Sequence, residues 1–318
     1  MKITVVGCGR WGTFIAWYLD SIGHDVTLYG RSSSENMKRL IETRKNSYLE
    51  LTDTMKLTTE LSAVSEAETV VISVGAQGLR ALCAQIAELG VTDKTFVLCM
   101  KGLEIGTGCR LSEIASDILH PSNRIAVWLG PGHVQEFYAG VPNCMVIDSN
   151  DENTKEELVQ AFSGGLIRFY FGTDLIGNEI GAAAKNVVGI AAGMLDGAGL
   201  SSLKGALMAR GAREVARLIK AMGGSELSAY GLCHLGDYEA TVFSKHSHNR
   251  RYGEAFVKGE EFTSLAEGYY TVKALVEMGE KYGVELPICG AVYNILYENS
   301  NPGETLDSLF KRNTKREF

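Results

Sequence analysis

The sequence predicts an α/β protein, with an N-terminal doubly wound domain followed by an all-helical C-terminal domain. Three observations predict it. A glycine turn, Gly7-Cys8-Gly9-Arg10-Trp11-Gly12, joins the apolar run at residues 3–6 to a helical pattern at residues 14–19. Short β-rich runs then alternate with helical patterns to about residue 175. Beyond residue 176 no β alternation remains, and helical periodicity takes over. Near-continuous apolar strands are expected when helices cover both faces of a sheet, and their alternation with helices gives the doubly wound arrangement. The boundary is placed between residues 1–176 and 177–318.

In the first turn, Gly7 permits a tight bend, Gly9 lets the backbone approach a pyrophosphate, and Gly12 lets helix and strand pack closely. The helix N-terminus offers N–H groups and a positive dipole end to the phosphates. The strand–turn–helix context makes this a Rossmann-type dinucleotide site, with a merely structural glycine turn as the alternative. Arg10, taken alone, reads as a solvated surface residue. The second strand, residues 25–29, ends in Gly30-Arg31-Ser32-Ser33-Ser34. No acid stands there to hold a ribose 2′-hydroxyl. An arginine and three hydroxyls suit a 2′-phosphate, so NADP(H) is expected to be tolerated or preferred. The other reading has Arg31 stacking on adenine. Later strands are expected at residues 69–74, 95–99, 125–129 and 144–147, and the helix after Ser149 opens on Asp151-Glu152, favourable for its dipole. In the second domain helices are expected over residues 206–221 and 266–282, and from Pro287 through Tyr297. The basic stretch at residues 311–316 is expected to be a solvated tail.

The 318 residues suffice for two cores, and 45% apolar with 22% charged residues is ordinary for a globular chain. A net charge of −7 without a long basic block gives binding to nucleic acid or a membrane surface no electrostatic support. No apolar run has membrane-spanning length, and the N-terminus reads as a strand and not as a signal peptide. The seven cysteines are odd in number and contain no CxxC. They read as reduced, mainly structural thiols of a cytoplasmic protein. No His/Cys cluster has metal-ligand spacing, so no metal is expected.

Candidate chemistry clusters just past strand ends, where a doubly wound sheet holds its ligands. Gly75-Ala76-Gln77 follows one strand, Lys101-Gly102 another, and Gly130-Pro131-Gly132-His133 a third. A lysine beside a glycine at a strand end is placed to point into the crevice, although an ordinary solvated lysine would look the same. Residues 178–193 read as a helix nearly without charge after Glu179, except for Lys185. Gly181 and Gly189 lie one turn either side of that lysine on the same face. Each glycine costs about 1 kcal/mol of helix stability, and a buried lysine costs more unless paired. The bare face is expected to give a ligand room to reach the ammonium, and the low-dielectric setting to lower its pKa toward a useful proton donor. Asp237 is positioned to pair with such a lysine. The polar stretch Ser247-His248-Asn249-Arg250-Arg251 suits a small phosphorylated ligand. A cleft between the two domains is the expected substrate site.

Together these motifs resemble the NAD(P)-dependent glycerol-3-phosphate dehydrogenase family, the soluble biosynthetic type, over nearly the whole chain. The matching stretches are Gly7 to Thr13, Tyr29-Gly30-Arg31, Lys101-Gly102-Leu103-Glu104, Gly130-Pro131, Glu179 through Asn186, Leu235-Gly236-Asp237, Asn249-Arg250-Arg251 and Ala266-Glu267-Gly268. The resemblance implies reversible reduction of dihydroxyacetone phosphate to sn-glycerol 3-phosphate by NADPH or NADH, for glycerophospholipid synthesis. It implies that Lys185 transfers the proton, that Lys101 polarises the carbonyl, and that Asp237, Thr241 and Asn186 orient those groups or the substrate. Ser247, His248 and Asn249 would hold the phosphate, with Gly130, Gly132 and Arg250 also near substrate. Cofactor contacts are implied at Gly7, Gly9, Arg10, Trp11, Gly12, Arg31, Ser32, Tyr48, Lys101, Val134, His248, Leu265 and Glu267. Two positions depart from the family pattern. Gly132 replaces a residue with a hydroxyl, and His248 replaces a phosphate-clamping arginine. Arg250 or His133 could compensate; otherwise phosphate affinity is weak, or the substrate is another small phosphorylated or carboxylated ketone. A non-catalytic NADP(H)-binding regulator is the reading from another class. A homodimer stays open.

Overall fold

The protein is described by a computed structural model that covers residues 1–314, 316 and 317. Short runs rich in Val, Ile, Leu and Thr pair into one eight-stranded sheet. They are β1 (Lys2–Val6), β2 (Asp25–Tyr29), β3 (Lys56–Thr58), β4 (Thr69–Ile72), β5 (Thr95–Leu98), β6 (Arg124–Leu129), β7 (Asn143–Ser149) and β8 (Ile167–Phe171). Their order is β3-β2-β1-β4-β5-β6-β7-β8. Neighbours are parallel except β6 and β7, which run antiparallel. The helices between them are α1 (Arg10–Ser21), α2 (Glu35–Thr43), α3 (Ala63–Glu66), α4 (Leu79–Glu88), α5 (Leu111–Ile118), α6 (Val134–Tyr138) and α7 (Glu152–Phe162). β4 and β5 are buried at every position, as strands covered on both faces must be.

The doubly wound expectation is met, with three details the sequence reading did not contain. β3 and β8 are additional strands, and β7 reverses direction. β3 is three residues long, too short for a periodic signal. β8 pairs only with β7 at the sheet edge, and leaves Tyr170 and Phe171 44% and 50% exposed. It therefore lacks the continuous burial of the inner strands. Asp151 caps α7 from just outside it, accepting from the Asn153 N–H.

The strand order places β1 beside β4, and successive connections leave this pair in opposite directions. Gly7 N–H donates to Tyr29 O at 2.9 Å and Ser73 N–H to Val6 O at 2.8 Å. The turns after β1 and β4 are thereby set side by side at the topological switch point, where open α/β sheets bind ligands. An aromatic cluster holds this region. Phe14 and Phe137 stack at 5.0 Å with Trp11 against both, and fully buried Trp128 donates its indole N–H to Met145 Sδ.

The chain divides into two compact units, Met1–Lys101 with Cys109–Glu179, and Gly102–Gly108 with Ile180–Phe318. The second contains most of α8 (Leu175–Gly197), then α9 (Lys204–Ala221), α10 (His248–Lys258), α11 (Glu267–Tyr282), α12 (Pro287–Tyr297) and α13 (Pro302–Phe310). Ala266 is the N-cap of α11, and Pro287 opens α12, where its missing N–H costs nothing. α8 and α10 pack with almost no side chain between them. A Cβ at Gly193 would lie 1.8 Å from Arg250 O, and one at Gly253 would lie 2.0 Å from Ile190 O. Of the basic stretch at 311–316, residues Lys311 to Thr314 and Arg316 are exposed. Arg312 makes an exposed surface ion pair with Glu285 at 2.8 Å. Lys315 lies outside the described residues. Among these, no helix is long and apolar enough to cross a membrane.

Candidate active site

The first unit carries a cradle at the switch point. Gly7 has φ +118, and a Cβ there would sit 2.1 Å from Ser73 O. A Cβ at Gly12 would sit 1.9 Å from Gly7 O. Both positions are closed to any side chain. At Gly9, by contrast, a Cβ would meet no atom within 4 Å. The middle glycine therefore borders open space at the N-terminus of α1, which has no side-chain cap and no acid in its first turn. Its first N–H groups are available to an anion. These features fit a dinucleotide pyrophosphate.

Around this cradle, Arg10 is half-buried and lies over the Tyr48 ring at 5.7 Å, a cation–π contact. Arg31, Ser32 and Ser33 are exposed past the end of β2. Ser34 is not free for a 2′-phosphate, because it caps α2 by accepting from Met37 N–H and lies 3.3 Å from Cys8 Sγ. The Val134 side chain belongs to the core, so only its backbone is open to a ligand. Lys101, just past β5, donates to Gly130 O at 2.7 Å. Gly132 has φ +147, and a Cβ there would lie 2.1 Å from Phe137 Cε2. His133 is buried beside it.

In the second unit the charged centre is built on α8. Lys185 Nζ lies 3.0 Å from Asp237 Oδ2 and donates to Thr241 Oγ1 at 2.8 Å. Their side chains are 11% and 1% exposed for lysine and aspartate respectively. The carboxylate stabilises the ammonium and offsets the cost of burying it. Thr241 sits in a single π-helical turn, Glu239–Phe243. Such turns re-aim one side chain at the expense of regular hydrogen bonding.

The glycines flanking Lys185 serve a different purpose from the one expected. A Cβ at Gly189 would lie 2.6 Å from Thr241 Cγ2 and 3.3 Å from Asn249 Cβ, and one at Gly181 would lie 3.0 Å from His234 Cβ. The bare face is filled by protein. It lets the segments carrying Asp237 and Thr241 come close enough to reach the lysine, and does not open a path for ligand.

His234 opens the stretch that carries Asp237, and the sequence alone gives it no role. Its Nδ1 donates to Gly181 O at 2.8 Å, so its Nε2 accepts from the Tyr238 hydroxyl at 2.7 Å. Burial pushes its pKa down to about 4, keeping it neutral, and pushes the Tyr238 phenol well above its ordinary range. This neutral pair clamps the Asp237 segment to α8. The spacing of His234 and Tyr238 around Asp237 was the available signal.

The expected phosphate loop forms the N-terminus of α10. Ser247 caps it, accepting from Arg250 N–H. Asn249 is a bridge, donating to Asn186 Oδ1 at 3.0 Å and accepting from Gly268 N–H at 2.9 Å. His248 is half-buried, with Nδ1 3.3 Å from Leu265 O. Arg250 does not act as the replacement clamp. Its guanidinium is held by Asp196 at 2.6 Å, Glu254 at 3.1 Å and Ser244 O at 3.1 Å. Leu265 is exposed, and Glu267 opens α11.

A Rossmann-type unit followed by a helical unit is the architecture of a class of dinucleotide-dependent dehydrogenases. Within that class, the family model described as NAD-dependent glycerol-3-phosphate dehydrogenase N-terminus matches residues 2–155, and its C-terminus counterpart matches residues 174–307. The glycerol-3-phosphate dehydrogenase (NAD(P)+) of Thermoanaerobacter sp. is 35% identical over 100% of this chain and 99% of its own. That of Chlorobium phaeobacteroides strain BS1 is 36% identical with the same coverage. The crystal structure of glycerol-3-phosphate dehydrogenase from Coxiella burnetii is 27% identical, with TM-score 0.91 over 98% of this chain and 99% of that one. The chain belongs to the NAD-dependent glycerol-3-phosphate dehydrogenase family.

Proposed function

We propose that this protein reversibly reduces dihydroxyacetone phosphate to sn-glycerol 3-phosphate with NADPH or NADH, for glycerophospholipid synthesis. The observation that carries the reading is the buried Lys185–Asp237–Thr241 centre in a chain of this family. Residues 1–176 would hold the cofactor, and residues 177–318 would supply the catalytic lysine.

Gly7, Gly9, Gly12 and the first turn of α1 would hold the pyrophosphate, with Arg31 and Ser32 at the adenosine ribose. When bound, the nicotinamide supplies a hydride to the carbonyl carbon. Lys185 Nζ gives its proton to the carbonyl oxygen and takes it back in the reverse direction. Asp237 and Thr241 fix the ammonium in place, so no reorganisation is needed as negative charge develops on oxygen. Lys101, held on Gly130 O, adds a second positive charge to polarise the carbonyl. The phosphate would lie at the N-terminus of α10, where backbone N–H groups and the helix dipole favour an anion, with Ser247, His248 and Asn249.

Gly132 and His248 favour one second reading, in which the same chemistry serves another small phosphorylated or carboxylated ketone. The test is NADPH and NADH oxidation by the purified protein with dihydroxyacetone phosphate and a panel of such ketones. Turnover of another ketone alone selects the second reading. Cofactor binding without turnover of any ketone supports a binding protein. Lys185→Ala should lower kcat by about 100-fold or more and leave NADPH affinity intact, since general acids contribute about 10²–10⁴. A homodimer in the cytoplasm is the proposed assembly and place, checked by light scattering and cell fractionation.

A further inference from the structure

The π-helical turn that carries Thr241 is a single turn of five residues, Glu239–Phe243. Its hydrogen bonding is poorer than that of an α-helix, so such a turn persists only where its surroundings hold it. Two side chains hold this one from outside. Lys204, the first residue of α9, donates from Nζ to Val242 O at 3.1 Å. Arg250 donates from Nε to Ser244 O at 3.1 Å. These two carbonyls lie either side of Phe243 in the chain, where the turn ends.

Both cations meet one carboxylate. Asp196, near the end of α8, accepts from Lys204 Nζ, Arg250 Nη1 and Ser201 Oγ, each at 2.6 Å. Burial alone raises the Asp196 pKa, but the bonds from Lys204, Ser201 and Arg250 outweigh it and hold the carboxyl below its ordinary range. The group is therefore charged at neutral pH. The Lys204 side chain is 9% exposed, and an ammonium so buried is costly unless paired. It also stands at a helix N-terminus, where the dipole opposes a cation. Two local rules are broken together, as happens where a residue serves function. The Lys204 charge is directed at Asp196, at Val242 O and at the Phe243 ring 5.4 Å away.

We propose that Lys204, anchored by Asp196, is a positioning residue that fixes the π turn and, through it, the Thr241 hydroxyl that accepts from Lys185 at 2.8 Å. Thr241 precedes Val242, and only two soft dihedrals separate the anchored carbonyl from the Thr241–Val242 peptide plane. A displaced Val242 carbonyl therefore moves Thr241. Gly189 leaves room for Thr241 to approach α8, and Lys204 keeps it there. Lys204 acts through Thr241 and not on a ligand, since its ammonium faces Asp196 and Val242 O. This role rests on the reaction proposed for Lys185.

The test combines structure and kinetics on the full-length protein. Lys204→Met keeps an unbranched stem and removes the ammonium. Its crystal structure should place Thr241 Oγ1 beyond about 3.5 Å from Lys185 Nζ, outside hydrogen-bond reach. With dihydroxyacetone phosphate, kcat should fall at least about tenfold, with KM and NADPH affinity within about twofold of wild type. Thr241→Val should give a similar fall. The double variant Lys204→Met/Thr241→Val should fall no further, because both changes remove the same bond, whereas independent effects multiply. Urea unfolding establishes that the variants fold, and Lys204→Gln, with a polar head one atom shorter than lysine, takes the place of a Lys204→Met that does not. An unmoved Thr241 in the variant structure overturns the proposal whatever ketone the protein reduces. Wild-type turnover in a folded variant, a changed KM with kcat intact, or multiplying losses in the double variant also overturn it. A wild-type protein that turns over no ketone overturns the reaction assigned to Lys185 instead, and the variant structure then decides alone whether Lys204 places Thr241.

Discussion

Gly189→Ala separates the chemistry of the site from the stability of the fold. Replacing glycine by alanine inside a helix ordinarily stabilises it by about 1 kcal/mol. Here the added Cβ would sit 2.6 Å from Thr241 Cγ2 and 3.3 Å from Asn249 Cβ. Carbon atoms in contact settle at about 3.5–4.0 Å, so Thr241 must retreat by about 1 Å. Thr241 Oγ1 accepts the 2.8 Å hydrogen bond from Lys185 Nζ, and such a shift breaks it. A hydrogen bond to a charged group is worth about 1.5–3 kcal/mol, while a displacement of about 1 Å costs on the order of 100-fold in rate. The helix gain offsets part of the stability loss, but nothing restores the lysine. Gly189→Ala should therefore unfold in urea with a midpoint close to wild type and bind NADPH normally, with kcat lowered about 100-fold. Steady-state NADPH oxidation with dihydroxyacetone phosphate, together with a urea titration of each protein, provides the measurement. A folded variant with wild-type turnover would refute the claim that these glycines exist to hold Thr241 on Lys185.

His234 gives a second prediction, read from stability against pH. Its imidazole titrates near 4 in the fold and near 6.5 unfolded, so the unfolded chain binds more protons between these values. Its contribution of about 3 kcal/mol is complete above pH 6.5 and is lost as pH falls toward 4. Burial pushes Asp148, Glu179 and Glu214 upward, which acts in the opposite sense, so the comparison is between wild type and His234→Gln. Urea unfolding from pH 7.5 to 4.5 should show the stability gap between them narrowing, and parallel profiles would exclude His234. Arg31→Ala should weaken NADPH more than NADH by fluorescence titration, and equal loss of both would mean that Arg31 does not read the 2′-phosphate. His248→Arg should lower the KM for dihydroxyacetone phosphate, because charge-assisted bonds are roughly twice as strong as neutral ones; an unchanged KM would move the phosphate away from position 248.

The parts of this fold that obey local rules were legible in the sequence. The turn at Gly7-Cys8-Gly9, the inner strands and the opening of α12 at Pro287 each declare themselves within a few residues. β8 did not, because an edge strand with Tyr170 and Phe171 exposed lacks the apolar continuity of its neighbours. The reversed direction of β7 depends on which side of β6 the chain returns, and no local pattern encodes that. At the site, Lys185 between Gly181 and Gly189 was visible as a double violation of helix preference. What fills the space was not visible, since His234, Thr241 and Asn249 lie 45 or more residues further along. Sequence shows that a helix face is bare; only the packing shows whether ligand or protein covers it. Arg250 illustrates the same limit. Its place in a polar loop suggested a phosphate ligand, but Asp196, 54 positions earlier, captures it.

The two departures at Gly132 and His248 acquire a physical meaning from their surroundings. Gly132 adopts φ +147 against the Phe137 ring, where a serine would bring both backbone strain and a clash. The hydroxyl that the family resemblance implies at this position is thus opposed by the stack of Phe137 with Phe14 and Trp11 behind the glycine turn. Restoring the hydroxyl alone would disturb that packing before it could touch a substrate. At His248 a fixed positive charge is absent, and Arg250 cannot swing in to replace it without releasing Asp196, which also holds Lys204 at 2.6 Å. The anion-binding element proposed here is the start of α10, whose backbone carries no titrating charge. A phosphate held this way depends on helix geometry more than on side-chain charge, and α10 is itself fixed to α8 through the Gly193 and Gly253 contacts. The glycines of α8 therefore set Lys185 through Thr241 at one end and α10, the helix proposed to hold the phosphate, at the other, so the positions of both follow from one packed surface.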